Sequence, residues 1–180
     1  MIQTIRLDHV LREAVTTPYR NLVTRPTGAA VRDRIERAMA DSPCITAILD
    51  FSEVDLLDLS CADEIVAKLL LLCVPRAERY VVLGGLSEDQ VEAIDHVLTH
   101  QRLAVAAMSA GAPGLDVLGE ADSDARHAFS CIGSRGPLDV DGLAAALDWP
   151  CERAAAALAT LAAHRLVRVA GDTFCPLLVA

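Results

Sequence analysis

Basic residues are scarce in this chain. Its 180 residues include 16 Lys or Arg and 25 Asp or Glu, which gives a formal net charge of −9 at pH 7. Both parts share the imbalance, with 11 basic and 17 acidic residues in 1–119 and 5 basic and 8 acidic residues in 120–180. Neutralising the phosphates of a nucleic acid requires an excess of Lys and Arg. Neither part therefore indicates nucleic-acid binding.

Paired cysteines and long apolar runs are also missing. The six cysteines show no C-x-x-C spacing and mostly lie among aliphatic residues, which is typical of buried thiols in a reducing cytoplasm. The first residues lack the basic-then-apolar order of a signal peptide. No apolar stretch reaches the roughly 20 residues that span a bilayer. We expect a cytoplasmic protein without a membrane contact.

Signatures of catalysis are weak, because the sequence has no phosphate-binding loop and no nucleophile–base pair. A helix N-terminus accounts for two of the four carboxylates that crowd one turn. His96 and His100 stand four residues apart, but Val97 occupies the position where a metalloprotease motif has its Glu. We predict that the protein is not an enzyme and has no metal site and no cofactor. The four carboxylates are Asp50, Asp58, Asp63 and Glu64.

The best-defined stretch lies between Pro43 and Pro75. Within it, Cys44–Leu49 is an unbroken β-favouring apolar run, typical of a strand that is covered on both faces. We therefore predict an interior strand at Ile45–Leu49. An acidic turn and a second extended stretch, Val54–Leu57, follow it.

An apolar helix comes next and is predicted to run to about Val74, where Pro75 would end it. Aliphatic residues cover most of its circumference, which predicts a buried helix. Ser60 and Asp63 have the spacing of a capping box, so Ser60 is the predicted N-cap. On that basis Ser60→Ala would cost about 1 kcal/mol.

A preceding helix, predicted from Ala29 to about Asp41, carries arginines on one face. Acidic residues alternate with these arginines, as they do on an ordinary solvated helix. The alternative is a face that holds a phosphate or an acidic partner. The arginines are Arg32, Arg34 and Arg37.

Strands and helices alternate as far as residue 107, with further strands predicted at 2–7, 21–25, 79–83 and 103–107 and a helix capped by Ser87 and Gln90. This alternation predicts an α/β fold, a mixed sheet with crossover helices over residues 1–110. Residues 111–123 are rich in Ser, Ala, Gly, Pro and acidic side chains, which predicts a linker. Three helices, at 125–132, 140–147 and 150–164, and a hairpin at 166–176 predict a small α+β domain over 124–180.

The central stretch resembles a known family. Leu49-Asp50-Phe51-Ser52-Glu53-Val54, followed by Ser60-Cys61-Ala62-Asp63-Glu64 and an aliphatic helix, is similar to the bacterial STAS-like family over about residues 20–107. That family is related in fold to the STAS domains of anti-sigma factor antagonists, in which a partner kinase phosphorylates a Ser in the turn that opens the equivalent helix. Here Leu59 stands at the phosphorylated position, so the resemblance does not imply the phosphorylation switch.

Residues 125–178 resemble a winged helix-turn-helix domain, through Leu143-Ala144-x-x-Leu147, Trp149-Pro150 and Leu166-Val167-Arg168. Such a domain reads DNA with Arg, Lys, Asn or Gln on its third helix. The third helix here is rich in Ala, which leaves protein contact, DNA contact and structural packing open. The candidate contacts for DNA or a partner are Arg153, Arg165 and Arg168.

Together the two resemblances imply a non-catalytic bacterial regulatory protein that acts through protein–protein interaction, in partner-switching control of transcription or signalling. The alternative is a DNA-binding winged-helix transcription regulator with a STAS-like sensor domain. The expected partner is a protein such as a kinase or an anti-sigma-like regulator, and self-association stays open. Leu59 either packs in the core or makes a constitutive apolar contact. The predicted partner-binding residues are Asp58, Leu59, Ser60, Cys61 and Asp63.

Overall fold

A computed structural model describes residues 1–15, 20–72, 79–111 and 114–178. The strands are β1 (Ile2–Arg6), β2 (Asn21–Leu22), β3 (Thr46–Asp50), β4 (Leu56–Leu57), β5 (Tyr80–Leu86), β6 (Ala104–Ser109), β7 (Asp116–Gly119), β8 (Arg168–Ala170) and β9 (Thr173–Cys175). The helices are α1 (Leu7–Ala14), α2 (Arg25–Ala40), α3 (Leu59–Ala62), α4 (Lys68–Leu72), α5 (Glu88–Gln101), α6 (Ser123–Arg135), α7 (Val140–Leu147) and α8 (Cys151–Ala163). A π-helical turn, Asp63–Ala67, joins α3 to α4.

Five strands form the central sheet in the order β1-β3-β5-β6-β7. The first four are parallel, and β7 runs antiparallel to β6. This arrangement confirms the predicted α/β class. The strand predicted at Ile45–Leu49 is interior, since β3 lies between β1 and β5, although Ile45 itself precedes β3 and is exposed.

Successive residues of a strand point to opposite faces, so the sheet supports two apolar clusters. The first contains Leu49 and Leu83 from the sheet, and helices α1 to α5 pack against it. Gln90, which completes the predicted capping box with Ser87, is buried, and its side-chain amide donates to the carbonyl of Val54 at 2.7 Å.

The second face of the sheet packs against the C-terminal helices. Its cluster combines Val82, Ala106 and Val117 from the sheet with Phe129 and Leu158 from helices α6 and α8. Residues that were predicted to belong to separate domains therefore bury their apolar surface together.

The segment predicted as a linker, 111–123, contains strand β7. Val117 is buried on the second face and Leu118 on the first, so this short apolar stretch completes the sheet. The linker prediction is wrong at this strand. Four residues of the segment pair with β6, but the polar and small residues on either side of them are typical of a linker.

The remaining predicted elements differ mainly in their ends. Helix α7 has the predicted bounds, and β8 pairs antiparallel with β9 as the predicted hairpin. The predicted helix end at Val74 and Pro75 lies outside the described residues. No helix in the described ranges combines the length and hydropathy that crossing a membrane requires.

Candidate functional site

Helices α2 and α3 begin side by side, and their first turns form the junction that contains the predicted site. The parallel pairing of β2 with β4 sets this arrangement, since each strand leads directly into one of the helices. The N–H of Asp58 donates to the carbonyl of Leu22 at 3.0 Å, and the N–H of Thr24 donates to Oδ2 of Asp58 at 2.9 Å.

Asp58 caps helix α3. Its Oδ1 accepts from the N–H of Cys61 at 2.7 Å and from the hydroxyl of Ser60 at 2.8 Å, in addition to the bond from Thr24. Burial alone would raise the pKa of Asp58, but these hydrogen bonds, led by those of the Thr24 and Cys61 amides, outweigh it and lower the pKa. The carboxylate is therefore charged and fixed in position.

The prediction that Ser60 is the N-cap is wrong. Asp58 has the extended backbone of an N-cap residue, with φ −83° and ψ 163°, whereas Ser60 already lies inside α3. Its hydroxyl donates to the true cap and does not accept from the helix backbone.

We expect Asp58→Ala to lower the free energy of unfolding by about 2 kcal/mol, at the upper end for loss of a cap, because the amide of Thr24 also loses its acceptor. Ser60→Ala removes one bond between side chains and should cost about 0.5 kcal/mol. Urea titrations of both variants at pH 7 measure the difference. If Ser60→Ala lowered the free energy of unfolding more than Asp58→Ala, Ser60 would be the N-cap after all.

Glu64, on the π-helical turn, is a buried carboxylate with three cationic partners. It is 3% exposed, and its two oxygens accept from Arg25 at 2.8 Å, from Arg32 at 2.5 Å and from Lys68. Burial raises the pKa of Glu64, but the hydrogen bonds from Lys68 and Arg25 and the positive charges around it lower the pKa overall. The cluster ties α2 to the start of α4. Arg32 also pairs with Asp33 and Glu36 of its own helix, at 3.1 and 3.2 Å, as the alternating charges predict, and its remaining nitrogen donates to Glu64.

A glycine allows the two helices to approach closely. A Cβ added at Gly28 would lie 2.9 Å from Cβ of Glu64 and 3.1 Å from Cα of Cys61. The backbones of α2 and α3 are thus nearly in contact, and no local pattern in the sequence marked this position.

Cys61, one of the predicted partner-binding residues, is fully buried beneath this contact. Its thiol donates to the carbonyl of Thr24 at 3.1 Å, and burial together with the charge of Asp58 raises its pKa to about 12. It is a thiol at neutral pH and is a poor nucleophile. A surface role for Cys61 is therefore wrong.

Leu59 points away from the core and is 51% exposed. Of the two alternatives for this residue, the core position is wrong. Two more exposed apolar residues, Val23 and Leu56, lie on the neighbouring strand ends, where Leu22 and Leu57 point inward. We call Val23, Leu56 and Leu59 the apolar rim of the junction.

Asp63 also lies at the junction, where it accepts from Arg25 at 2.7 Å and from the amide of Gln101 at 3.2 Å. Asp58, Leu59, Ser60 and Asp63 thus all lie at the junction, and their binding of a partner stays a prediction. Arg25 was missed, because its partners are 38 and 39 residues away in the sequence and no short-range pattern records the pairing.

The three C-terminal arginines lie on the other side of the sheet and are engaged within the protein. Arg153 makes two hydrogen bonds to Asp124, at 2.6 and 2.7 Å, and its guanidinium lies 4.2 Å from the ring centre of Trp149. Arg165 donates to the carbonyl of Arg79 at 3.2 Å, and Arg168 donates to a carbonyl of the hairpin segment at the same distance.

His96 and His100 are exposed on α5, and within the described ranges no three His, Cys, Asp or Glu side chains are grouped so that they could hold a metal ion.

Comparisons with protein-family models, curated proteins and solved structures found no match to this chain. Its function therefore has to be inferred from its own geometry.

Proposed function

We propose that the protein is a non-catalytic bacterial regulator that binds another protein through the junction of α2 and α3. The observation that carries the proposal is Leu59, an exposed leucine at the first turn of a helix whose start is rigidly held. An apolar side chain in this position gains free energy when a partner covers it. Val23 and Leu56, at the ends of the two strands that lead into these helices, are exposed as well.

Rigidity of the junction supports this proposal, because a surface that is already ordered loses little entropy on binding. Asp58 accepts three hydrogen bonds and Glu64 binds three cations. Thr24 has φ 73°, which a non-glycine residue rarely adopts, and its amide is held by Asp58. Strained backbone that neighbouring contacts maintain is frequent at functional sites.

The class of regulator follows from the resemblances. The strand–turn–helix unit from β3 through α3 carries the motif similar to STAS-like proteins, and α6, α7, α8 and the β8–β9 hairpin are compatible with a winged helix. We propose the partner-switching type of regulation, with a kinase or an anti-sigma-like regulator as the partner. Leu59 replaces the phosphorylated Ser of that class, so the contact is constitutive.

We also propose a cytoplasmic location. The five cysteines within the described residues are free thiols, which fits a reducing compartment. The alternative of a DNA-binding regulator is disfavoured by the internal partners of Arg153, Arg165 and Arg168.

We expect Leu59→Asp to abolish capture of the partner while leaving the thermal midpoint unchanged, since an exposed substitution changes stability by only about 0.5 kcal/mol. The tagged wild-type chain and the variant are used as bait in lysate of the source bacterium, and the captured proteins are quantified by mass spectrometry. Val169→Asp is the matched control, because Val169 is 50% exposed on the hairpin, away from the junction.

The captured protein is then purified and its Kd is measured by titration calorimetry. If Leu59 is a central interface residue, Leu59→Asp should raise the Kd by about 30-fold or more, equivalent to about 2 kcal/mol. If Leu59→Asp binds as tightly as the wild type and is equally stable, the junction is not the interface. If Val169→Asp loses binding and Leu59→Asp keeps it, the C-terminal region is the interface.

A further inference from the structure

Strand β1 forms one edge of the central sheet, and its backbone identifies which groups face outward. The carbonyl of Met1 accepts from the amides of Ile45 and Thr46, on the β3 side. Successive residues of a strand direct their N–H and C=O groups to opposite sides within the sheet. The backbone N–H and C=O groups of Gln3 and Ile5 therefore point toward β3. Those of Ile2, Thr4 and Arg6 point away from the sheet.

The outward backbone groups of Ile2 and Thr4 accept and donate no hydrogen bond within residues 1–15, 20–72, 79–111 and 114–178. Both residues also have exposed side chains, with Ile2 at 42%. Unpaired N–H and C=O groups along an edge are a template for another strand.

The opposite edge of the sheet is blocked. The guanidinium of Arg126 donates to the carbonyls of Val117, Gly119 at 2.8 Å and Ala121 at 3.1 Å, so it occupies the acceptors of β7 that a further strand would need. Covering an edge in this way prevents edge-to-edge association. The contrast with β1 gives the sheet one open edge and one closed edge within the described residues.

We propose that β1 pairs antiparallel with β1 of a second copy of this chain, about a two-fold axis at Thr4. A second copy of the chain is the expected partner because strand β1 is complementary to itself. In this register Thr4 faces Thr4 and Ile2 faces Arg6, so no like charges meet, and cross-strand Thr pairs are favourable. Arg6 is in addition compensated within its own chain by Asp8, at 3.2 Å.

Two-fold pairing of identical strands makes an isologous interface, which is the commonest geometry of protein dimers. It would join two five-stranded sheets into one continuous sheet and remove both open edges. It would also cover part of Ile2 and of Met1, the most exposed large apolar residue in the described ranges. The interface is separate from the junction, so it depends on none of the steps in the proposed function.

The mass of the full chain in solution tests the proposal, by light scattering coupled to size-exclusion chromatography over a range of protein concentrations. We expect the wild type to approach twice the 19.1 kDa of the chain as the concentration rises. Thr4→Lys places two ammonium groups against each other at the two-fold axis, and Thr4→Glu does the same with two carboxylates. Each variant should be a monomer alone, and an equimolar mixture should form the dimer again.

Two further variants separate the interface from the fold. Thr4→Pro removes the outward N–H, which an edge strand tolerates, so the variant should be folded by circular dichroism and a monomer by light scattering. Thr99→Lys adds the same charge at an exposed position on α5 and should leave the dimer intact. A wild type of 19.1 kDa at every concentration would overturn the proposal. A dimer that persists in both Thr4→Lys and Thr4→Pro would overturn it as well, because β1 would then not be the interface.

Discussion

Glu64→Ala should lower the free energy of unfolding by about 3 kcal/mol, the lower end of the range for breaking a buried ion pair. Without the carboxylate, Lys68 loses its ion pair, and Arg32, whose side chain is only 16% exposed, keeps only the more exposed Asp33 and Glu36. Arg25 adds less to the loss, because it is 54% exposed and keeps its bond to Asp63. Urea unfolding at pH 7, followed by circular dichroism, measures the change.

The neighbouring Asp63→Ala is the matched control for this prediction. Its carboxylate pairs with the exposed Arg25, and exposed pairs contribute only about 0–1 kcal/mol. Both substitutions replace one carboxylate of the same π-helical turn with Ala. A difference between their free energies of unfolding is therefore due mainly to the burial of Glu64 and not to helix propensity. Equal small losses would mean that water screens the Glu64 cluster and that it does not hold α2 against the start of α4.

The pH dependence of stability follows from the lowered pKa values of Asp58 and Glu64. A carboxyl whose pKa is lower in the folded state stabilises the fold fully above the unfolded pKa, near 4, and this contribution is lost as pH falls through the folded value. The wild type should therefore lose stability on acidification from about pH 5. Glu64→Gln should lose less over the same range, because one of the two groups can no longer titrate.

Local patterns in the sequence predicted most elements of the fold correctly. The interior strand was visible because six consecutive β-favouring residues leave no polar face. The capping box of α5 was visible because Ser87 and Gln90 are three residues apart and each satisfies the other. In these cases the interacting groups are neighbours in the sequence.

The cap of α3 was misassigned for a reason that is also local. Asp58 and Ser60 are both strong N-cap residues, and the spacing of Ser60 to Asp63 favoured the wrong one. The choice depends on where the extended backbone ends, and this is set by the pairing of β4 with β2 from another part of the chain.

Contacts between distant segments could not be predicted. Arg32 and Glu64 are 32 residues apart, and nothing near either residue indicates the other. Leu59 is exposed and Cys61 is buried because α2 packs over one side of α3 at Gly28, a position that the sequence does not distinguish from an ordinary turn. The candidate site was thus located by its motif, whereas its electrostatics and its exposed face required the tertiary structure.

Gly119→Ala should lower the free energy of unfolding by about 3–4 kcal/mol, through backbone strain and overpacking together. Gly119 ends β7 with φ 90°, and a Cβ there would lie 2.1 Å from the carbonyl oxygen of Leu103. That oxygen cannot move freely, because it accepts from the amide of Glu120 at 2.8 Å. The amide of Gly119 is itself held by Asp95 at 2.7 Å.

Gly136→Ala separates the two causes. Gly136 also has φ 90°, with ψ −160°, but no atom lies within 4 Å of its added Cβ, so only the cost of the backbone conformation remains, about 1–3 kcal/mol. Urea titrations of the two variants under identical conditions give the difference that belongs to the close approach of β7 to Leu103. Equal losses in the two variants would mean that the chain at Leu103 moves aside easily, and that the turn from β7 into α6 is held less firmly than its hydrogen bonds indicate.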